Sequence, residues 1–507
     1  MYAQCTQQRE TSYTDKFMNA ERLICMSRFR WVACQVDYLC ELPNDRARRE
    51  ALKSLPPTLS STYEHLLQRV NESNPHNQRV VQRTIMWLIY GMRMSSSALC
   101  EAISINLGDE DLDEESVPSK ADILRCCSSL IRLTHGAFEL AHFTVKEFFL
   151  GLQPSSRPEL MPYYMEEKSS ILEMARICFT YLNFRRFGNG SVATLDEYRA
   201  LNDANAFKLH CSLHWERYWQ SQWSDEISRS LVQKLFDPKN LQNFSSLKQQ
   251  RFWITITGLS ADSALPSAWH ERFSSVTALL VTLGPLHYAA MMREHELCSW
   301  ILNSGCSVTQ SSELGTPLHL AIAGADALCE VSNHIISGKP IRSLRPAPLP
   351  QLSGLRRQTS VPSPPPPPLP PLHDGMRMNP KYCKFKEACT FKELINAGAD
   401  PYAKSGSYEC SALHMAAGKV TQILLSLLET GVRIDEGTLK ILANKVKRLS
   451  LPLAALSEIL NAIDPRSLEG PARAVFMQLS LKTGVSISHA ERMTEIASNF
   501  PWGTKEH

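Results

Sequence analysis

Three short stretches of this chain say nearly the same thing. Gly284-Pro285-Leu286-His287-Tyr288-Ala289-Ala290 recurs as Gly315-Thr316-Pro317-Leu318-His319-Leu320-Ala321, and more weakly as Ser411-Ala412-Leu413-His414-Met415-Ala416-Ala417. A segment this short cannot bury its own apolar side, so its recurrence implies units that stack on one another. His287 and His319 lie 32 residues apart, which sets the period. Pro317 suits the first position of a helix, where no amide partner is lost, and Leu318 and Ala321 then point into the stack. Gly305, Gly338, Gly398 and Gly431 each suit a left-handed turn that ends a second helix. From histidine to glycine the count is 18 for His287 to Gly305, 19 for His319 to Gly338 and 17 for His414 to Gly431.

At this period the Thr-Pro-Leu-His-x-Ala pattern resembles the ankyrin-repeat family, and Pro285, Leu286, His287, Gly315, Thr316, Pro317, Leu318, His319, Leu413 and His414 carry the resemblance. It implies a framework role for the histidines, which tie neighbouring turns by hydrogen bonds, and no role in metal ligation or catalysis. Phe391 to Asp400 reads as a second helix and its turn, with a partner expected near Pro380 that lacks the Leu-His motif. The expected count is four repeats: two good, one degenerate and one partial. They span 281–338 and 381–436, and helices over 437–507 are expected to cap the open end.

Proline marks the break between those two blocks. Twelve of the 30 prolines fall between Pro340 and Pro371. Proline lacks an amide donor and fixes φ, so residues 339–380 are expected to form a disordered, partly polyproline II linker between the second repeat and the third. Pro364 to Pro371 resembles the oligoproline ligands of profilin, SH3 and WW modules, although a plain spacer is the preferred reading. Arg356-Arg357-Gln358-Thr359-Ser360 resembles a basophilic-kinase site, which makes Thr359 and Ser360 candidate phosphosites.

The first half reads as helices. Phe29, Val32, Val36 and Leu39 share one face, as do Tyr63, Leu66, Leu67 and Val70, with Ser61 and Glu64 as a possible capping box. Residues 1–78 are read as an N-terminal helical segment. Over 79–152 come three helices, around Val81, Ile85 and Leu88, then Leu99, Ala102 and Ile103, then Ile123, Leu124 and Cys127. Ser119 with Asp122 forms a second capping box. A hairpin is expected around His135-Gly136, and a further helix behind a Thr144 and Glu147 box. That order is the order of a winged-helix domain. Its acidic loop, Gly108 to Glu115, and a formal net charge of only +3 argue against a nucleic-acid partner. Residues 153–280 read as a helical middle domain, in which Trp215, Trp219, Trp223 and Trp253 pack between helices.

The first 290 residues resemble the part that follows the nucleotide-binding domain in fungal NACHT-ankyrin proteins, relatives of NOD-like receptors. Phe29 to Leu39, Leu55 to Leu59 with Thr62 to Glu64, Trp87-Leu88, and Leu140 to Phe148 carry this resemblance. It implies a regulatory region in which a winged-helix histidine, His142 here, can contact a bound nucleotide; without the rest of that pocket His142 reads first as a packing or turn residue. No phosphate loop, nucleophile elbow or His-Glu-x-x-His pair occurs in the chain. The expectation is therefore a non-enzymatic interaction protein without cofactor, lacking the NACHT core and binding a protein partner through its repeats. The alternative is a truncated or split part of a NACHT NTPase switch. Fifteen cysteines without one Cys-x-x-Cys pair suit reduced core thiols. The polar N-terminus and the lack of an 18-residue apolar run point to a cytoplasmic location away from membranes. The fold expected is mainly α: a winged-helix-like and helical part, then an ankyrin solenoid interrupted by the Pro-rich linker.

Overall fold

The computed structural model describes residues 30–40, 42–53, 55–153, 157–219, 222–257, 268–324, 384–404, 410–418, 421–448 and 450–483. Phe29, Gly338, Thr359, Ser360 and Pro364 to Pro371 lie outside the described residues. Those described are mainly helical and include one two-stranded sheet. The chain divides into two compact units, Met1–Gly188 with Leu201–Val232, and Asn189–Ala200 with Gln233–His507. This division cuts through the segment 153–280 that the sequence presented as one middle domain.

The first unit begins with helical residues 30–40 and with α1 (Asp45–Leu52), α2 (Leu59–Glu72) and α3 (Pro75–Tyr90). On the first of these the expected buried face is wrong: Val32 and Val36 are half exposed, whereas Cys34 and Gln35 are buried. Polar bonds account for the rotation. Gln35 Nε2 donates to Thr62 Oγ1 at 2.8 Å, and Trp31 Nε1 donates to the Pro56 carbonyl at 2.8 Å. Tyr63, Leu66 and Leu67 of α2 are buried, as the spacing predicts. The cap of α2 is corrected to Thr58 and Ser61, which exchange hydrogen bonds, and Glu64 pairs with Arg157.

Helix α3 packs with α4 (Ser96–Ser104) and α5 (Lys120–Cys127), and strands β1 (Ile131–Thr134) and β2 (Ala137–Leu140) fold back on the three. Ile85, Trp87, Leu99, Ala102, Ile123 and Cys127 are all buried there. Ser119 and Asp122 form the expected capping box of α5. Thr134 pairs with Ala137, so His135-Gly136 is the whole turn. Both residues have positive φ, 49° and 73°, the geometry of a type I′ turn, whose twist matches that of the paired strands. Helix α6 (Phe143–Gly151) follows at once. Its cap is His142, whose side chain accepts from the Thr144 amide. The expected Thr144 and Glu147 box does not form, because the helix starts at Phe143 and leaves Thr144 inside the first turn.

Next come α7 (Glu167–Leu182), α8 (Leu195–Asp203), α9 (Ala206–Trp219) and α10 (Glu226–Leu235). Helix α9 packs on α7 and α4. Phe179 lies against Trp215 and Trp219, and Trp87 against Phe207, His210 and Tyr218. Glu101 of α4 is buried beneath the start of α9. It accepts from the Ala206 amide at 2.8 Å, the Phe207 amide at 3.0 Å and the Tyr181 hydroxyl at 2.6 Å. These bonds satisfy amides that a helix start otherwise leaves open. The expected group of four tryptophans is divided: Trp253 belongs to the second unit, against Tyr198 and Phe273.

In the second unit α11 (Gln242–Thr257) and α12 (Ala268–Val281) pack on each other. Two rows of helices follow. One row runs α13 (Pro285–Met291), α15 (Pro317–Ala323), α17 (Ala412–Gly418) and α19 (Glu436–Lys447), each touching the next. The other runs α14 (His295–Asn303), α16 (Lys384–Asn396), α18 (Thr421–Leu428) and α20 (Leu453–Asn461), again each on the next. Rungs join the rows, α13 to α14, α15 to α16, α17 to α18 and α19 to α20, and α21 (Gly470–Thr483) closes on the last pair. Pro285 and Pro317 stand at the starts of their helices, as the motif predicts. Every residue of α13 and α15 is buried.

The pairing differs from the sequence reading at one point. Helix Lys384–Asn396 packs on Pro317–Ala323 and Thr421–Leu428, so the helix expected to need a partner near Pro380 has one 60 residues upstream. The Pro-rich linker expected over 339–380 lies outside the described residues, and Pro317–Ala323 and Lys384–Asn396 thus form one pair. The row of second helices bears this out. Gly305, Gly398 and Gly431 follow α14, α16 and α18 with φ of 94°, 94° and 87°, the left-handed turn that glycine adopts without strain. Four pairs are present among the described residues, the last drawn from the segment expected to be a cap.

Candidate functional site

The motif histidines are built into the seams of the second unit. His287 Nε2 donates to the Gln310 carbonyl at 3.0 Å, while its Nδ1 faces the Gly284 amide at 3.4 Å. His319 Nε2 donates to the Cys410 carbonyl at 3.1 Å, and Thr316 Oγ1 lies 2.8 Å from its Nδ1. A carbonyl can only accept, so the proton sits on Nε2 in both rings. Burial pushes His287 down to about 4 and lowers His319 as well, so both are neutral at pH 7. His414 varies the scheme: its Nε2 lies 3.0 Å from Asp435, whose carboxylate also accepts from the Thr438 amide and caps α19. Burial alone would raise Asp435, but the Thr438 bonds and His414 outweigh it and hold the carboxyl below its usual range. Leu286, Leu318 and Leu413 are all buried.

The loops tied by these histidines carry exposed polar tips. Glu313 and its neighbour Ser311 are exposed beside the short bridge between Ser312 and Gly315, and the Glu313 amide donates to Thr282 Oγ1 at 3.1 Å. Lys404 and Tyr402 are exposed on the following turn, where the Tyr402 hydroxyl donates to the Arg433 carbonyl at 2.6 Å. Glu313, Lys404 and Arg433 thus project from successive loops.

In the first unit, His142 sits in a polar pocket that sequence reasoning found only in part. Its Nδ1 bonds Thr144 Oγ1 at 2.8 Å, and that hydroxyl also meets the Tyr63 hydroxyl at 3.0 Å. Burial and the nearby Arg30 guanidinium lower its pKa. Arg30 donates to the Ser129 carbonyl. Among the described residues the buried His142 Nε2 has no hydrogen-bond partner, and because Nδ1 accepts from the Thr144 amide it carries the ring proton. A buried donor beside the Arg30 guanidinium suits an acceptor or an anion. Arg30 lies in the Phe29 to Leu39 stretch but has no role assigned to it there, and Ser129 sits in no motif, so only His142 was singled out.

The acidic loop is occupied within its own unit. Arg186 pairs with Asp111 and Glu114 and donates to the Leu112 carbonyl at 3.0 Å, and Arg185 pairs with Glu110. The described cysteines are free, and Cys34, Cys100, Cys126, Cys127, Cys178, Cys211 and Cys298 are buried. Burial drives the Cys100 thiol up to about 11, which keeps it protonated and unreactive. No group of three or more His, Cys, Asp or Glu side chains suited to a metal occurs among the described residues. No single described helix is long and apolar enough to cross a membrane. Comparison with protein-family models, with curated proteins and with solved structures finds no match to this chain.

Proposed function

We propose that this chain is a non-enzymatic interaction protein whose second unit is an ankyrin-type stack that binds a protein partner. The supporting observation is the pair of helix rows in which each motif histidine bonds into the loop leading to the next unit. The same reading makes the three helices and hairpin of residues 79–152 a winged-helix-like domain, with a regulatory role. Recognition falls to the exposed loop tips, because the first-row helices α13 and α15 are buried on all sides. Glu313, Lys404 and Arg433 are the residues to test. A partner isolated by crosslinking to the full chain should be lost from Glu313→Lys, Lys404→Glu and Arg433→Glu combined, with thermal stability unchanged. Retention of that partner by the triple variant overturns this assignment.

A second reading, a part of an NTPase switch completed elsewhere, is favoured by His142, whose buried Nε2 has no partner among the described residues and stands near the Arg30 guanidinium. Calorimetric titration with Mg-ADP separates the two. The interaction reading expects no heat of binding and no ATP hydrolysis. Tight ADP binding that disappears in His142→Ala would replace it with the switch reading.

A further inference from the structure

A cavity of about 290 Å³ lies in the second unit, walled by Asn189, Ser191, Gln242, Ser245, Lys248, Thr277, Leu280 and Val281. Among the described residues Lys248 is the only charged one in that wall, and no carboxylate faces it there. The residue is 5% exposed, its Nζ donates at 2.8 Å to the carbonyls of Leu280 and Leu283, and it stands 5.3 Å from the centre of the Phe244 ring. Two neutral acceptors and a ring face hold the ammonium in position without cancelling its charge. Burial lowers its pKa to about 8, so the charge persists at pH 7. Around it stand the hydroxyls of Ser191, Ser245 and Thr277 and the amides of Asn189 and Gln242. Gln249 donates to Thr277 Oγ1 at 3.1 Å, which leaves the Thr277 hydroxyl proton to point elsewhere. Asn189, Ser191, Gln242 and Val281 are exposed, so the mouth is open to solvent.

A buried, unneutralised cation ringed by uncharged hydrogen-bonding groups is the arrangement that a small anion satisfies. At about 30 Å³ per water-sized group the cavity holds roughly ten non-hydrogen atoms. We infer that this cavity binds a small organic anion, a phosphate or carboxylate carried on a short hydroxylated carbon chain. The anionic head pairs with Lys248, and the serine, threonine and amide groups take up the hydroxyls. The site is independent of the proposed protein surface, since none of its wall residues lies on the loop tips.

Equilibrium dialysis of the full chain with glycerol 3-phosphate, glycerate and uncharged glycerol tests this at fixed ionic strength. One saturable site for either anion and none for glycerol is expected, and the two anions distinguish a phosphate from a carboxylate head. Lys248→Met should abolish binding. Because that change also removes the bonds to Leu280 and Leu283, the wall variant Ser245→Ala with Thr277→Val provides the control for folding. It should weaken binding by about tenfold, the effect of losing hydrogen bonds to a charged ligand. Absence of saturable anion binding to the unaltered chain, or binding that survives both variants, overturns the inference.

Discussion

His319 and Cys410 lie 91 residues apart in the chain, yet a 3.1 Å hydrogen bond joins the imidazole Nε2 of one to the backbone carbonyl of the other. The bond ties α15 to the backbone just ahead of α17 in the same row. His319→Ala removes it and should cost about 1 kcal/mol. The neighbouring Leu318→Ala, at a position with 0% exposure, should cost about 2–5 kcal/mol by opening a cavity. Urea unfolding of both variants checks these values. A loss well under 1 kcal/mol for Leu318→Ala would mean that the row does not pack as described.

Acid should loosen the second unit. His287 has a folded pKa of about 4 against 6.5 for the free side chain, and the cause is burial. Between those values the unfolded chain binds the proton and the folded chain does not, so stability rises with pH across the window. The contribution is complete above about pH 6.5 and is lost as pH falls toward about 4. His319 is lowered in the same direction. Unfolding midpoints measured from pH 7 to pH 4 should fall less steeply in His287→Gln than in the unaltered chain. Equal slopes would show that this ring does not stay neutral in the fold.

Glu101 receives three hydrogen bonds, two from the first amides of α9. Glu101→Ala leaves those buried donors unsatisfied and should cost about 3–5 kcal/mol, the range for breaking a buried charged network. Amide exchange at Ala206 and Phe207 should accelerate in a milder variant, Glu101→Gln, which keeps only part of the acceptor capacity. Unchanged exchange in Glu101→Gln would count against the carboxylate as the cap of α9.

The start of α6 distinguishes two caps. His142→Ala should cost about 1 kcal/mol, as loss of an N-cap does, whereas Glu147→Gln should be close to neutral. The opposite ranking in thermal unfolding would restore the Thr144 and Glu147 box that the sequence suggested.

Helices α13 and α15 were legible because several local signals coincide on both: proline at the first position, leucine inward and a histidine three residues from the cap. The pairing of α15 with α16 was not, because no periodicity spans the 60 residues between Ala323 and Lys384. Val32 and Val36 mislead for another reason. Spacing tells which residues share a face, but the Gln35 bond to Thr62 decides which face is covered. The anion cavity left no trace in the sequence, since Asn189 and Ser191 meet Lys248 and Thr277 only through the fold. Glu101 likewise looks like any helix-surface acid until α9 arrives above it.

Because Pro317–Ala323 and Lys384–Asn396 form one pair, the two ends that any connection between them must join are already held side by side by the stack. In general, doubling the length of a loop closure adds only about 0.6 kcal/mol. A change in the number of residues between Ala323 and Lys384 is thus compatible with the same mutual register of the flanking helices.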